Sequence, residues 1–473
     1  KELFSNKNIE QFIEFGWLNE NTSKDLYPLV LNLGAFIFDT KISCSPIKID
    51  KLNIIEDGHR YTSFGNAGGG WWSGDFRYFI LEDKEGNNQI ISVSILGSYL
   101  VVAIDDFDKR HNSLQLNIDK YTEVQGNKYT IWHDGRLTVG RSGSAKRKEV
   151  IDKIIELSKT TELNAVVIDV KEAGVVNYKS NVPEVVKNGL YTEYYNPEEL
   201  IKKLHDNNIY VIGRVVCFLD NGLGTKRADL AIKKKNGQPW KEGKWGVWVN
   251  PYYDEVKRYN LDIAKEAAEK RFDEIQFDYV RFPSGTGNQV DYGSDVPSKA
   301  DIICEFLEMA NKELKEEMGV MVAADVFGII CIDQNTRNTI GQDLERVVQI
   351  IDYICPMVYP SHYANSSNHY SGNGKGQNIN GILFTAPDLE PYKVIYNTLL
   401  VAKDRISKVD GVKAKVRPYL QSFTASYLPE GYYMEYGVEE VKQQIKAVYD
   451  AGYDEWILWN STNVYPDGVF EKK

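Results

Sequence analysis

From about Arg136 to its end the chain alternates strand-like and helix-like runs, and this rhythm limits the possible folds more than any other feature. The strand-like runs are Leu137–Val139, Ala165–Val170, Tyr210–Val216, Glu274–Val280, Met321–Val326, Tyr353–Val358, Lys415–Leu420 and Trp456–Asn460. Helix-like runs lie between them at Lys146–Lys159, Pro197–Asp206, Glu255–Arg271, Lys299–Met318 and Val438–Ala451. Val150, Ile154 and Leu157 in the first, and Ile303, Phe306, Leu307 and Ala310 in the fourth, recur at the spacing of one helix face packed on a sheet. Strands joined through helices run parallel, and eight such units close into a (β/α)8 TIM barrel. The reading is therefore α/β, with the barrel over 135–473. An open doubly wound sheet has fewer strands and a glycine fingerprint after the first. Here Gly140-Arg141-Ser142-Gly143-Ser144 lacks its third glycine.

Residues 1–134 have a different texture. After a helical-looking stretch at Asn8–Phe15 they carry short strands at Phe36–Phe38, Tyr78–Leu81, Ile90–Ile95, Tyr99–Ala103 and Tyr129–Trp132, separated by turn signals. This predicts a smaller β-rich accessory domain before the barrel. Within it Gly68-Gly69-Gly70-Trp71-Trp72 reads as a hairpin turn with buried Trp rather than a carbohydrate-binding mark.

A content of 42% hydrophobic residues excludes a largely disordered chain, and a formal charge of −11 argues against a nucleic-acid partner. No apolar run is long enough for a transmembrane segment. The chain starts at Lys1 with no apolar leader, so a removed signal segment or a trimmed start is expected. The five cysteines are widely spaced and predict buried free thiols, not a disulfide framework. The six histidines form no HExxH and no close pair, so no metal is expected. Gly372-Asn373-Gly374-Lys375-Gly376 lacks the Ser or Thr that a P-loop needs after its Lys, and no cofactor is expected.

In a barrel of this kind the C-terminal ends of the strands carry the chemistry. Asp278 and Asp325 end the fourth and fifth strands in matching inward phase, which predicts two carboxylates at one mouth. Such a pair is what glycosidic cleavage needs: one group donates a proton, the other attacks or activates water. A plainer reading makes each a rim carboxylate bound to Arg214 or Arg281. Asp169, Lys171, Glu172, Arg214 and Arg281 are expected to contact substrate or tune the pair, as are Tyr359, His362, Gln421, Trp459 and Asn460 at later strand ends. The loop after strand three holds Trp240, Trp245 and Trp248. These form either a saccharide-stacking platform, with Trp245 and Trp248 on the substrate, or packing pegs for a long loop.

The motif Asp273-Glu274-Ile275-Gln276-Phe277-Asp278-Tyr279-Val280-Arg281-Phe282-Pro283 resembles a bacterial family of glycoside-hydrolase-type domains with a TIM-barrel fold. Asn164–Lys171, Trp248–Tyr252, Ala324–Gly328 and Met357–Tyr363 match further stations in order, over about 136–465. The resemblance implies hydrolysis of a carbohydrate substrate, with an acidic nucleophile on strand four and an acid/base on strand five, here Asp278 and Asp325. It favours retention of anomeric configuration. Asp325 is expected to be the proton donor, because it follows Val322-Ala323-Ala324 in an apolar strand, and Asp278 to stay ionised beside an arginine. With a polysaccharide as substrate, an extracellular or cell-surface location is expected. The alternative is a non-catalytic saccharide-binding or cell-envelope protein on the same scaffold.

Overall fold

The computed structural model describes residues 60–62, 75–82, 88–96, 99–105, 128–133, 143–243 and 246–473. Eight parallel strands dominate the larger part. They are β1 (Tyr129–His133), β2 (Ala165–Glu172), β3 (Tyr210–Val216), β4 (Glu274–Asp278), β5 (Met321–Phe327), β6 (Tyr353–Met357), β7 (Tyr419–Gln421) and β8 (Trp456–Trp459). Each pairs with the next in parallel register, and the sheet curls round until β8 pairs with β1.

The first of these strands corrects the sequence reading, which gave Tyr129–Trp132 to the N-terminal region. Tyr129–His133 lies between β8 and β2, with Thr130 opposite Ala165 and Ile457. The chain divides into compact units between Glu123 and Val124, so β1 goes with the curled sheet. Local pattern could not settle this. Tyr129–Trp132 and Leu137–Val139 are equally strand-like, and only long-range pairing distinguishes them. Leu137–Val139 lies outside the described residues.

The longer helices on the connections are α1 (Gly143–Thr160), α2 (Pro197–His205), α3 (Asp254–Glu269), α4 (Lys299–Ala310), α5 (Pro391–Ile406) and α6 (Val438–Asp450). The sequence reading did not name α5. The expected stripe of α4 is buried as predicted, and its start is fixed by a capping box between Ser298 and Asp301. On α1 the buried stripe is Ile151, Ile154, Ile155 and Ser158, so the helix is rotated from the expected Val150–Ile154–Leu157 face. Both stripes share Ile154, and packing chooses between them. Among the described residues no helix is long and apolar enough to cross a membrane.

Strands β2 to β8 are buried on both faces, as parallel sheets covered by helices must be. Val166, Ile168, Ile275 and Phe277 fill the layer under the helices, each worth about 1.5–3 kcal/mol of burial. Ala165, Val167, Ile212, Ala323 and Ile457 fill the inside of the curl with Tyr210, Tyr353 and Tyr419. On β4 the inward residues are Glu274, Gln276 and Asp278, two apart and all polar. Glu274 pairs with Arg417 and accepts from Tyr210 Oη at 3.2 Å, forming a polar floor. Gln276 accepts from Tyr419 Oη at 2.6 Å in the middle layer. Asp278 reaches the mouth.

In the N-terminal unit, strands Arg60–Thr62, Asp75–Glu82, Asn88–Leu96 and Tyr99–Asp105 form an antiparallel sheet in chain order. The expected strands Tyr78–Leu81, Ile90–Ile95 and Tyr99–Ala103 fall within it. Asn8–Phe15, Phe36–Phe38 and the Gly68–Trp72 turn lie outside the described residues.

Candidate active site

Arg214 organises the mouth. It projects inward from β3 and donates from Nη1 to Asp169 Oδ1 at 2.7 Å and to Glu172 Oε1 at 2.8 Å. Its Nη2 and Nε donate to Asp278 Oδ2 at 2.6 and 3.0 Å. Asp325 Oδ2 lies 4.0 Å from the same Nε. Burial alone would weaken the guanidinium's hold on its proton; the carboxylates of Asp169, Asp278 and Glu172 more than reverse this and raise its pKa.

A bulge in β2 lets two acids reach one arginine. Asp169 stands opposite Arg214, but Lys171 stands opposite Val215, one residue out of register. Lys171 therefore takes the outward phase of Val215, and Glu172 returns to the inside. The expectation that Lys171 contacts substrate is corrected. Its ammonium is fully buried outside the curl, 2.7 Å from Asp220 Oδ2 and 2.9 Å from Asn260 Oδ1 on α3.

Asp278 accepts a second type of contact, from the Tyr279 N–H to Oδ1 at 2.6 Å. Tyr279 has φ of 49°, a left-handed conformation uncommon for a bulky residue and characteristic of strained functional positions. Asp325 differs from Asp278 in its hydrogen bonding. It is 1% exposed, and neither carboxyl oxygen accepts a hydrogen bond. Burial first, and then the charge of Asp278, push its carboxyl well above the usual carboxylate range. The two acids thus sit beside one guanidinium with opposite environments.

Three expected residues line an aromatic wall. Tyr359 packs against Trp459 with ring centroids 5.8 Å apart and edge-on to His362 at 5.1 Å. Phe423, which the sequence reading missed, completes the wall 5.1 Å from Trp459. It follows Gln421 by two residues at the end of β7, and that position was its one available signal. Tyr419 was also missed. Burial and the charge of Asp325 raise the pKa of its hydroxyl, and burial with Asp325 and Asp278 does the same at Tyr359.

Four further expectations are corrected. Arg281 is buried among Phe327, Trp248 and Tyr279, with its guanidinium 4.2, 4.7 and 5.1 Å from the ring centres, and donates to the Phe282 carbonyl. Trp248 is fully buried with its indole N–H on Glu242, and Trp240 is buried too, so both act as packing pegs. Trp245 lies outside the described residues. Gln421 is consumed internally: it donates to Asp388 at 2.9 Å and accepts from Ser361 Oγ at 2.8 Å. Asn460 closes its own turn, accepting from Thr462 Oγ1 at 2.6 Å and donating to the Ser422 carbonyl. A strand-end position does not distinguish these from exposed groups, because loops fold back over the rim.

Among the described residues no group of three or more His, Cys, Asp or Glu could hold a metal ion. The four mouth carboxylates gather instead on Arg214. The described cysteines, Cys217, Cys304, Cys331 and Cys355, are free and buried.

No curated protein matches the chain. Among solved structures, a hypothetical protein from Ruminiclostridium thermocellum is 38% identical, with 41% of this chain and 97% of that one covered and a TM-score of 0.37. The PgaB (BpsB) glycoside hydrolase domain from Bordetella bronchiseptica is 11% identical over 71% of this chain and 94% of its own, with a TM-score of 0.50. That likeness concerns the fold. The α-galactosidase TtGalA from Thermus thermophilus is 12% identical over 85% and 75%, with a TM-score of 0.42. Residues 140–465 match the family model described as "Putative glycosyl hydrolase domain", most of the chain, and the protein belongs to that family.

Proposed function

We propose that the protein is a retaining glycosidase on a (β/α)8 barrel, with Asp278 as nucleophile and Asp325 as acid/base, and that the N-terminal β-rich region is an accessory domain. The carrying observation is the contrast within the pair. Asp278 is aimed by two donors of Arg214, whereas Asp325 is buried without a hydrogen-bond partner and raised toward its protonated form. A carboxyl kept neutral near neutral pH is what a general acid requires.

In the first step an Asp278 oxygen attacks the anomeric carbon while Asp325 gives its proton to the departing glycosidic oxygen. This leaves a glycosyl ester on Asp278. In the second step the Asp325 carboxylate takes a proton from water, whose oxygen attacks the same carbon. The sugar leaves as its hemiacetal, and both acids return to their starting states. Retention is supported by spacing: Asp278 Oδ2 and Asp325 Oδ2 lie 3.0 and 4.0 Å from one nitrogen. The sum of these distances caps their separation and removes the upper part of the roughly 6.5–9.5 Å range of inverting pairs. The wall of Tyr359, Phe423 and Trp459 offers apolar faces to a sugar ring. A polysaccharide substrate would put the protein outside the cell or at its surface.

The test is a panel of 4-nitrophenyl glycosides and defined polysaccharides, with products followed by proton NMR. Wild type should release product of retained configuration from at least one member. Asp278→Asn and Asp325→Asn should remove that turnover while remaining folded. Saccharide binding without turnover by wild type would favour a non-catalytic binding protein, and full turnover by either variant would remove the assignment of the pair.

A further inference from the structure

We infer that Lys171, which touches no part of the mouth, is a positioning residue that holds Asp278 in place through two peptide groups. Its ammonium donates to the carbonyl of Val216 at 2.7 Å and lies 3.4 Å from that of Cys217. Those carbonyls belong to the peptide units whose other ends are the N–H groups of Cys217 and Phe218. The Cys217 N–H donates to the Asp278 carbonyl at 2.8 Å, and the Phe218 N–H to the Tyr279 carbonyl at 3.3 Å. Two consecutive peptides therefore connect one buried cation to the backbone of Asp278 and of the left-handed Tyr279 beside it.

The arrangement has consequences that a simple buried ion pair lacks. Hydrogen bonds in series polarise one another, so a cation at the carbonyl end strengthens the N–H end. The ends of β3 and β4 beyond their last paired residues are thereby fixed. This is where Tyr279 departs from strand geometry and donates its own N–H to the Asp278 carboxylate. Lys171 is itself held by Asp220 and Asn260, and Asp220 also accepts from the Leu223 N–H at 2.7 Å to start the next loop. The β2 bulge serves both ends: it turns Lys171 out to the peptides and Glu172 in to Arg214.

This inference rests on Asp278 being the nucleophile, and its test separates the two claims. Removing the ammonium alone would strand the Asp220 carboxylate, so the variant is Lys171→Met with Asp220→Asn, measured in the full chain. Hydrogen exchange followed by mass spectrometry on peptides spanning 216–220 and 277–282 should show protection lost there and kept elsewhere. On the 4-nitrophenyl glycoside that wild type turns over fastest, kcat should fall about 10- to 100-fold with KM changed less than about two-fold, as expected when a reacting group is slightly misplaced. Unchanged exchange at 216–220 and 277–282 would overturn the inference. So would a general loss of protection across the barrel, or an unchanged kcat where exchange has loosened. Local loosening in a protein inert on the whole panel would leave the peptide connection standing and remove the nucleophile assignment.

Discussion

Two arginine–carboxylate sites occupy opposite ends of the same strand, and they are built differently. At the floor, Arg417 meets Glu274 at the start of β4, both fully buried, with Tyr210 completing the contact. At the mouth, Arg214 serves Asp169, Glu172 and Asp278 and stands 4.0 Å from Asp325. The floor matches two cations with two anions: Arg417 binds Glu274, and Arg417 and Lys415 each lie 3.7 Å from the buried Glu455. The mouth gives one cation more acids than it can satisfy, and Asp325 is left without a hydrogen bond. Breaking the first pattern is expected to cost the fold, whereas in the function proposed here the second holds a proton where a reaction can use it.

The comparison predicts different losses. The largest is at the mouth: Asp278→Asn should lower kcat by at least about 10³-fold with little change in thermal unfolding, measured by stopped assays and calorimetry. The floor should respond in reverse. Arg417→Met leaves Glu274 buried and unpaired and should cost roughly 3–5 kcal/mol in denaturant unfolding, with turnover per folded molecule unchanged. Equal effects on stability and turnover at both sites would erase the distinction.

The smallest expected effect is a gain. The folded pKa of Asp325 is raised, so the folded state binds its proton more tightly than the unfolded chain does. The resulting stability is full below the ordinary carboxylate pKa and is lost as pH rises through the folded value. Asp325→Asn removes this loss. The variant should unfold about 1–3 °C higher than wild type near pH 8, and the difference should vanish near pH 4. A difference that grew toward low pH would contradict the environment assigned to Asp325.

Much of this was legible in the sequence because it depends on period and position. Seven of the eight ring strands, the inward phase of Asp278 and Asp325, and the proximity of Arg214 follow from alternation along short apolar runs. What escaped depends on departures from regularity or on distant partners. The β2 bulge reversed Lys171, and nothing local announces an extra residue at Val170. Gln421 and Asn460 look like rim groups until Asp388, Ser361 and Thr462 are known to occupy them. Trp248 reads equally as a platform or a packing peg until Arg281 and Tyr279 are seen packed on it. Tyr129–His133 could be assigned only once its neighbours on both sides were known.

The central claim is that Asp278 and Asp325 have divided roles, and azide rescue tests it most directly. The variants would be assayed with 2,4-dinitrophenyl glycosides of the sugar that wild type accepts, with sodium azide added and the glycosyl azide identified by NMR. Asp325→Asn should still form the ester on Asp278, because this leaving group needs no proton, and azide should then yield a product of retained configuration. Asp278→Asn cannot form the ester, and azide should enter directly to give the inverted product. The same configuration from both variants, or inversion from Asp325→Asn, would contradict the assignment.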